Sequence, residues 1–344
     1  MSFGYFFLKR YPSDKNKKAY CGIVAFQWVL ISGLRHWTIG ADTYSYYKSF
    51  VNVKDLSWGK AFDNLFGYLF KGYEVKDPGY YIFQKFFRLF TTDYQLFLVL
   101  IACIFTITMA VWIYRYSDDP LFSFVLYSTL FYEFFALTGH RQTIATALVV
   151  FWGYKYIKER KLIKFAGIAL VAFVIHKSSI VFVPFYFLAN VSITPLYIAI
   201  AFIAIGCLFI AGESLYGVVV KNLGFNEEYL VDYTKGGAET YSILLIALCI
   251  AILFGYSFYK KHDAQKATHI FNATLLTLGS TLLVFKNQGF MRIQQYYALF
   301  LMISIPEFLK LFDHKSKKLV YALFIIILIA YVVLKNPTYK FYFM

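Results

Sequence analysis

The chain has 344 residues, of which 60% are hydrophobic, 22% aromatic and only 15% charged. A soluble domain cannot hide that much apolar surface, so the composition excludes a soluble enzyme or binding module and implies a polytopic membrane protein. The net charge of +15 does not point to nucleic acid, because the basic residues punctuate apolar runs and form no patch on a soluble fold.

Residues 3–8 (FGYFFL) are too short for a signal-peptide core, and no small-residue cleavage site follows, so no cleavable signal is expected. Apolar runs bounded by charged or Gly/Pro breaks predict an all-α chain. Its spans fall near 19–37, 94–114, 120–137, 141–157, 162–176, 178–191, 194–212, 241–259, 268–286, 290–310 and 319–335. These are about eleven spans in a single transmembrane domain over 1–344.

Lys and Arg in short loops set the orientation. Clusters precede the first span (Lys9, Arg10, Lys15, Lys17, Lys18) and follow the fourth (Lys155, Lys158, Arg160, Lys161, Lys164). Others follow the eighth (Lys260, Lys261, Lys266) and the tenth (Lys310, Lys315, Lys317, Lys318). An odd span count puts all of them, and the start of the chain, on the cytoplasmic side. A single tilted span over 162–191 would break that pattern. A hairpin with His176-Lys177 at its tip keeps it, with arms of about 21 Å against a hydrocarbon core of about 30 Å. Pro184 is expected to bend its second arm.

Two outer segments are long. Residues 38–93 hold mixed polar and aromatic sequence and then DPGYYIFQKFFRLF, which predicts an amphipathic helix starting after Pro78. Residues 213–240 form the second, with a hinge at Gly236-Gly237. Cys21, Cys103, Cys207 and Cys249 lie far apart in apolar runs and read as core thiols.

In this orientation four cationic sites fall at one membrane level on the outer side: Arg35, His140-Arg141, His176-Lys177 and Arg292. Each alone has a plain explanation, an end-of-span side chain snorkelling to head groups. Together they suit an anion. Guanidinium planes pair bidentately with phosphate and stay charged in a low dielectric. Gly139 would let the backbone approach closely, and Gln142 follows at the head of the same helix. A phosphate beside a bilayer points to a lipid-linked substrate. Glu133 lies inside the third span, as a functional carboxylate or a salt-bridge partner of Arg141, and Asp42 as a helix cap or a site residue. No metal-ligand spacing, nucleophile elbow, P-loop or dinucleotide fingerprint occurs.

The chain resembles the EpsG-like family of exopolysaccharide membrane proteins, within the wider group of Wzy-type oligosaccharide repeat-unit polymerases. The resemblance rests on Leu34-Arg35 with Ile39-Gly40-Ala41-Asp42-Thr43-Tyr44, then Asp77-Pro78-Gly79-Tyr80-Tyr81, then Arg141-Gln142-Thr143-Ile144-Ala145. It continues through Ala172 and His176-Lys177-Ser178-Ser179 to Pro184, and through Arg292, Tyr296-Tyr297 and Pro306. Two departures stand out: residues 1–18 hold a stub where members often carry a further span, and Ala41 replaces the usual Thr before Asp42.

The resemblance implies metal-independent glycosyl transfer, without a cofactor, at the outer face of the bacterial inner membrane. Undecaprenyl-diphosphate-linked oligosaccharides would be joined into O-antigen, capsule or exopolysaccharide, beside membrane lipids and with a chain-length regulator and a flippase of the same pathway as further partners. Arg35, Arg141, Arg292, Lys177, His140 and Gln142 would hold the diphosphate. His176, or else Asp42 or Glu133, would take the proton of the attacking hydroxyl. Two other classes fit a cationic membrane cavity: a flippase or transporter for the same lipid, and a membrane O-acyltransferase acting on sugars. The first should show internal repeats and the second a His-based acyl motif. No repeat is evident here.

Overall fold

The computed structural model describes residues 13–212, 214, 217, 218, 238–335 and 339–344. Among these the regular structure is helical, and the one extended pairing is an isolated antiparallel bridge between Arg35 and Phe341. Most of the second outer segment, with its expected Gly-Gly hinge, lies outside the described residues.

The breaks that separate apolar runs in the sequence are helix caps. Ser13 accepts from Asn16 N–H at 3.1 Å and starts α1 (Asp14–Gly33). Asp93 accepts from Gln95 N–H at 2.8 Å and starts α5 (Tyr94–Tyr116). Asp119, Thr194 and Asp263 do the same for α6 (Pro120–Leu126), α11 (Pro195–Ile210) and α14 (Ala264–Val284). A side-chain oxygen at this position satisfies a backbone N–H that has no partner inside the helix. Pro120 and Pro195 sit at the first helical position, where the missing N–H costs nothing.

Each expected span coincides with helical residues, but several are interrupted. Tyr94–Tyr116, Ala264–Val284 and Lys315–Leu334 are long and apolar enough to cross a membrane. A fourth crossing arises if α12 (Ala238–Phe254) and α13 (Tyr256–His262), bent by 56° at Gly255, are one span. These helices suit a membrane protein; a count of eleven crossings goes further than their length and composition do.

The expected third and fourth spans widen into π-helical turns at Tyr127–Phe131, Glu133–Leu137 and Ala147–Trp152, on either side of α7 (His140–Thr146), with α8 (Gly153–Lys158) closing the segment. After α9 (Leu162–Ile175) the chain leaves the helix at His176, whose φ of −155° and ψ of 109° are extended. The second arm of the expected hairpin is not one α-helix. It is a 3-10 stretch, Lys177–Phe182, followed by the single turn α10 (Phe185–Leu188). Pro184 explains the interruption, because its ring disfavours helical geometry at the preceding residue.

The outer segment 38–93 holds more helix than its composition announces: α2 (Thr43–Asn52), α3 (Trp58–Phe70) and the expected α4 (Pro78–Phe87). Tyr46, Phe50, Tyr80, Tyr94, Phe97, Leu98, Ile101, Ile144 and Ile175 form one buried cluster that ties α2 and α4 to α5, α7 and α9. Phe50 and Phe97 stack with centroids 4.9 Å apart.

The described residues of Met1–Ser179 and Ala322–Met344 form one compact unit, and those of Ile180–Tyr321 another. In the first, α1 packs along α5. Residues 339–344 return to the far end of α1: His36 N–H donates to Lys340 O at 2.8 Å, Tyr342 N–H donates to Leu34 O at 2.9 Å, and the Tyr339 hydroxyl donates to Ile31 O. In the second unit, α12, α15 (Met291–Ala298) and α11 pack around α14, and α16 (Leu301–Phe308) packs on α12. Asn272 on α14 donates to the carbonyls of Leu188, Ala189 and Val191 and accepts from Tyr197 Oη at 2.8 Å. One buried amide thereby secures the chain where it leaves α10. The last helix, α17 (His314–Lys335), runs across the boundary between the two units.

Gly79 lets α4 lie against α9. A Cβ there would stand 2.8 Å from Val174 Cγ2 and from Val174 O, whereas one at Gly59 on α3 would meet nothing within 4 Å. Gly79→Ala should therefore lower stability by about 1–3 kcal/mol through overpacking. Gly59→Ala should be neutral or stabilising by about 0.5–1 kcal/mol. Thermal melting of the two detergent-solubilised variants checks this, and equal melting temperatures would rule out the close approach.

Candidate functional site

Asp77 precedes Pro78 and Gly79. Proline fixes the start of α4 with the N–H-free first position. Asp77 itself takes the left-handed conformation, φ 51° and ψ 57°, which an aspartate tolerates better than most residues. This conformation puts its carboxylate, 4% exposed, between the starts of α4 and α7 and the end of α9.

Three donors converge on that carboxylate. Arg141 Nη1 lies 2.9 Å from Oδ2, His176 Nδ1 lies 3.2 Å from the same oxygen, and Lys177 N–H donates to Oδ1 at 3.0 Å. Burial by itself would raise the carboxyl pKa. The hydrogen bond from His176, the charges of His176 and Arg141 and the Lys177 N–H outweigh it and hold Asp77 below the usual carboxylate value. An ionised carboxylate only accepts, so the His176 ring nitrogen facing it carries the proton.

Arg141 is the second residue of α7. Its guanidinium lies 5.3 Å from the Tyr46 ring centroid and 5.9 Å from that of Tyr80. Its side chain is 17% exposed, and its Nε is buried without a hydrogen-bond partner among the described residues. Gly139 before it adopts φ 58°, and a Cβ there would come only to ordinary contact, 3.5 Å from Phe134 O. The glycine is needed for this left-handed backbone conformation.

A second group adjoins the first. Arg35, 1% exposed, stands beyond the end of α1. Its Nη1 donates to Ser32 O and its Nη2 to His140 Nε2 at 2.6 Å. Arginine has no lone pair to offer, so His140 Nε2 accepts. The His140 ring stacks on Tyr46, with centroids 4.4 Å apart and planes at 15°. Tyr46 thus touches both the buried His140 and the Arg141 cation. Gln142 is buried beside them in α7.

The structure brings Arg35, His140, Arg141, His176 and Lys177 together through Asp77 and Tyr46, with the Lys177 ammonium 6.0 Å from the Tyr68 ring. Asp42 stands half-buried at the start of α2 and makes no side-chain cap, contrary to the plain reading of that residue. Glu133 is exposed at the head of a π-helical turn, and the carboxylate paired with Arg141 is Asp77 instead. Arg292 is half-buried on α15, in the second unit. Asp77 is the site residue that sequence reasoning did not select. Its signal was the acidic residue directly before Pro-Gly, read as the start of a surface helix and as part of the family resemblance but not as a site residue.

Compared with known proteins, the chain matches the model of the EpsG family over residues 18–343. Neither a curated protein nor a solved structure matches it.

Removing one partner of a buried ion pair costs about 3–5 kcal/mol, because the other charge stays buried and unpaired. Asp77→Asn and Arg141→Gln should each be destabilising, and the double variant less so than their sum, with a coupling of about 0.5–3 kcal/mol. Additive effects in a thermal-melt cycle would show that the pair contributes nothing. The Asp77 pKa is lower folded than unfolded, so its stabilisation is full above the unfolded value of about 3.9 and is lost as pH falls through the folded one. The stability gap between wild type and Asp77→Asn should close on acidification.

Proposed function

The chain belongs to the EpsG family, and we propose that it polymerises polysaccharide by joining lipid-diphosphate-linked oligosaccharide repeat units at the outer face of the inner membrane. The observation that carries this reading is the guanidinium of Arg141. It is fixed by a buried carboxylate and packs beside the rings of Tyr46 and Tyr80. A planar donor fixed in that way is preorganised for phosphate oxygens.

In the proposed reaction the acceptor sugar hydroxyl attacks the anomeric carbon of the growing chain. The bond from that carbon to the diphosphate oxygen breaks, and its electron pair leaves with the diphosphate. His176 takes the hydroxyl proton. Arg141, with Lys177 beside it, opposes the negative charge that builds on the leaving group, which lowers the barrier because the interaction strengthens as the charge grows. Arg35 is bonded within the protein and contributes its charge through His140. His176 is preferred as base over Asp42 and Glu133 because it shares Asp77 with Arg141.

The proposed topology has about eleven crossings, with the basic clusters in the cytoplasm and the site outside. Residues 339–344 support an odd count, because they lie at the same end of α1 as Arg35. The partners are undecaprenyl-diphosphate-linked oligosaccharides and membrane lipids, with a chain-length regulator and a flippase acting beside it.

The test is complementation of a deletion strain, read as the ladder of polysaccharide lengths on a gel. Arg141→Lys keeps the charge but loses the fork, and should cut polymerisation about 10²–10³-fold, leaving single repeat units. A wild-type ladder from Arg141→Ala would sink the leaving-group role. A deletion strain that delivers no repeat unit at all would indicate a flippase.

A further inference from the structure

We propose that Asp77 is a positioning residue for the glycosyl transfer, holding His176 in the tautomer whose Nε2 accepts the hydroxyl proton and tying that base to the Arg141 clamp. The inference rests on the polymerase reading above and extends it to a residue that does not itself meet the substrate.

The geometry leads there in three steps. Asp77 Oδ2 is 3.2 Å from His176 Nδ1 and 2.9 Å from Arg141 Nη1, so one oxygen is common to the candidate base and the candidate clamp. A carboxylate has no proton to give, so Nδ1 is the protonated nitrogen and, in the neutral ring, Nε2 holds the lone pair. The second oxygen, Oδ1, accepts the N–H of Lys177, so the carboxylate cannot swing away without breaking the turn that carries His176.

The residue is otherwise hard to explain by packing. Its left-handed backbone is strained for a non-glycine residue, and its charge is almost wholly buried. An apolar residue would hold a helix start without desolvating a charge. Sharing one oxygen couples the two halves of the reaction. When the imidazole gains the hydroxyl proton, the new positive charge forms next to a fixed negative one. That arrangement favours proton transfer in the step in which Arg141 faces growing charge on the leaving diphosphate.

Among the described residues, the charged and titratable groups around His176 include Asp77 before α4, Arg141 on α7, Lys177 in the following turn, Tyr68 on α3, and Tyr46 and Tyr80 beside Arg141. Among them Asp77 is the group that raises the basicity of the imidazole. Replacing it with an amide removes that charge and leaves Arg141 uncompensated, and both changes lower the pKa of the ring.

The experiment uses purified full-length chain in proteoliposomes. Its substrate is the lipid-linked repeat unit extracted from a strain lacking this protein. Polymer formation is measured against pH, and the histidine tautomer is read by 15N NMR, with the His176 signal assigned by its loss in His176→Gln. Asp77→Asn should lower the rate about a hundredfold or more, move the acid limb of the profile to lower pH and change the 15N pattern of His176. Asp77→Glu should restore part of the rate. Unchanged rate, limb and tautomer in a folded Asp77→Asn protein would overturn the positioning role while leaving the polymerase reading in place. If Asp77→Asn fails to accumulate, Asp77→Glu carries the test. A shifted acid limb and an altered His176 15N pattern support the positioning role, and wild-type values of rate, limb and tautomer overturn it. A wild-type protein that joins no repeat units sinks the polymerase reading and this proposal together.

Discussion

The buried carboxylate of Asp77 is the constraint on which the first unit of this protein depends. Taking a charge out of water costs several kcal/mol, and only a complete set of partners offsets that. Asp77 finds its partners on α7 and on the turn after α9, while its own backbone begins α4. Three segments far apart in sequence are thereby held in one arrangement, and none can move without exposing an unpaired charge. Helix packing alone would not be so selective, since apolar side chains tolerate sliding far better than an ion pair does.

Around that carboxylate the aromatic residues do more than fill space. Tyr46 stacks on His140 and also lies beside the Arg141 cation. Its neighbours Tyr80, Tyr94, Phe50 and Phe97 continue the same buried cluster. Tyr46 and Tyr80 pack beside the Arg141 guanidinium, and Tyr46 also hydrogen-bonds it. The aromatic residues of this cluster therefore also serve to hold a cation in place.

Family membership and site geometry carry different parts of the functional reading. The family points to polysaccharide polymerisation in a membrane. The geometry shows a fixed cation and a histidine paired with the same buried carboxylate, and the proposed reaction gives these the roles of opposing a departing diphosphate and taking a proton. Arg35 shows why position matters as much as residue type. It is the same residue type as Arg141, but its guanidinium is bonded to Ser32 and His140, so it supports the site from within the fold.

The helical class, the places where helices start and the cationic residues at their ends were determined by the sequence itself, because these are local properties. Ser13, Asp93, Asp119, Thr194 and Asp263 cap the helices that follow them within a few residues. Periodicity did not announce α2 and α3, which are short and whose aromatic residues face protein and surroundings alike, nor the π-helical turns, whose cause lies in packing. The second arm after His176 read as a helix because it is apolar, and Pro184 broke it. Only the tertiary structure decided which cation meets which anion. Asp77 looked like the entry to a surface helix, and its partner His176 lies 99 residues away. Local patterns record the free energy of hydrogen-bonding and burying one segment. The pairing of buried charges is settled by where the whole chain can satisfy them, and no single segment encodes that.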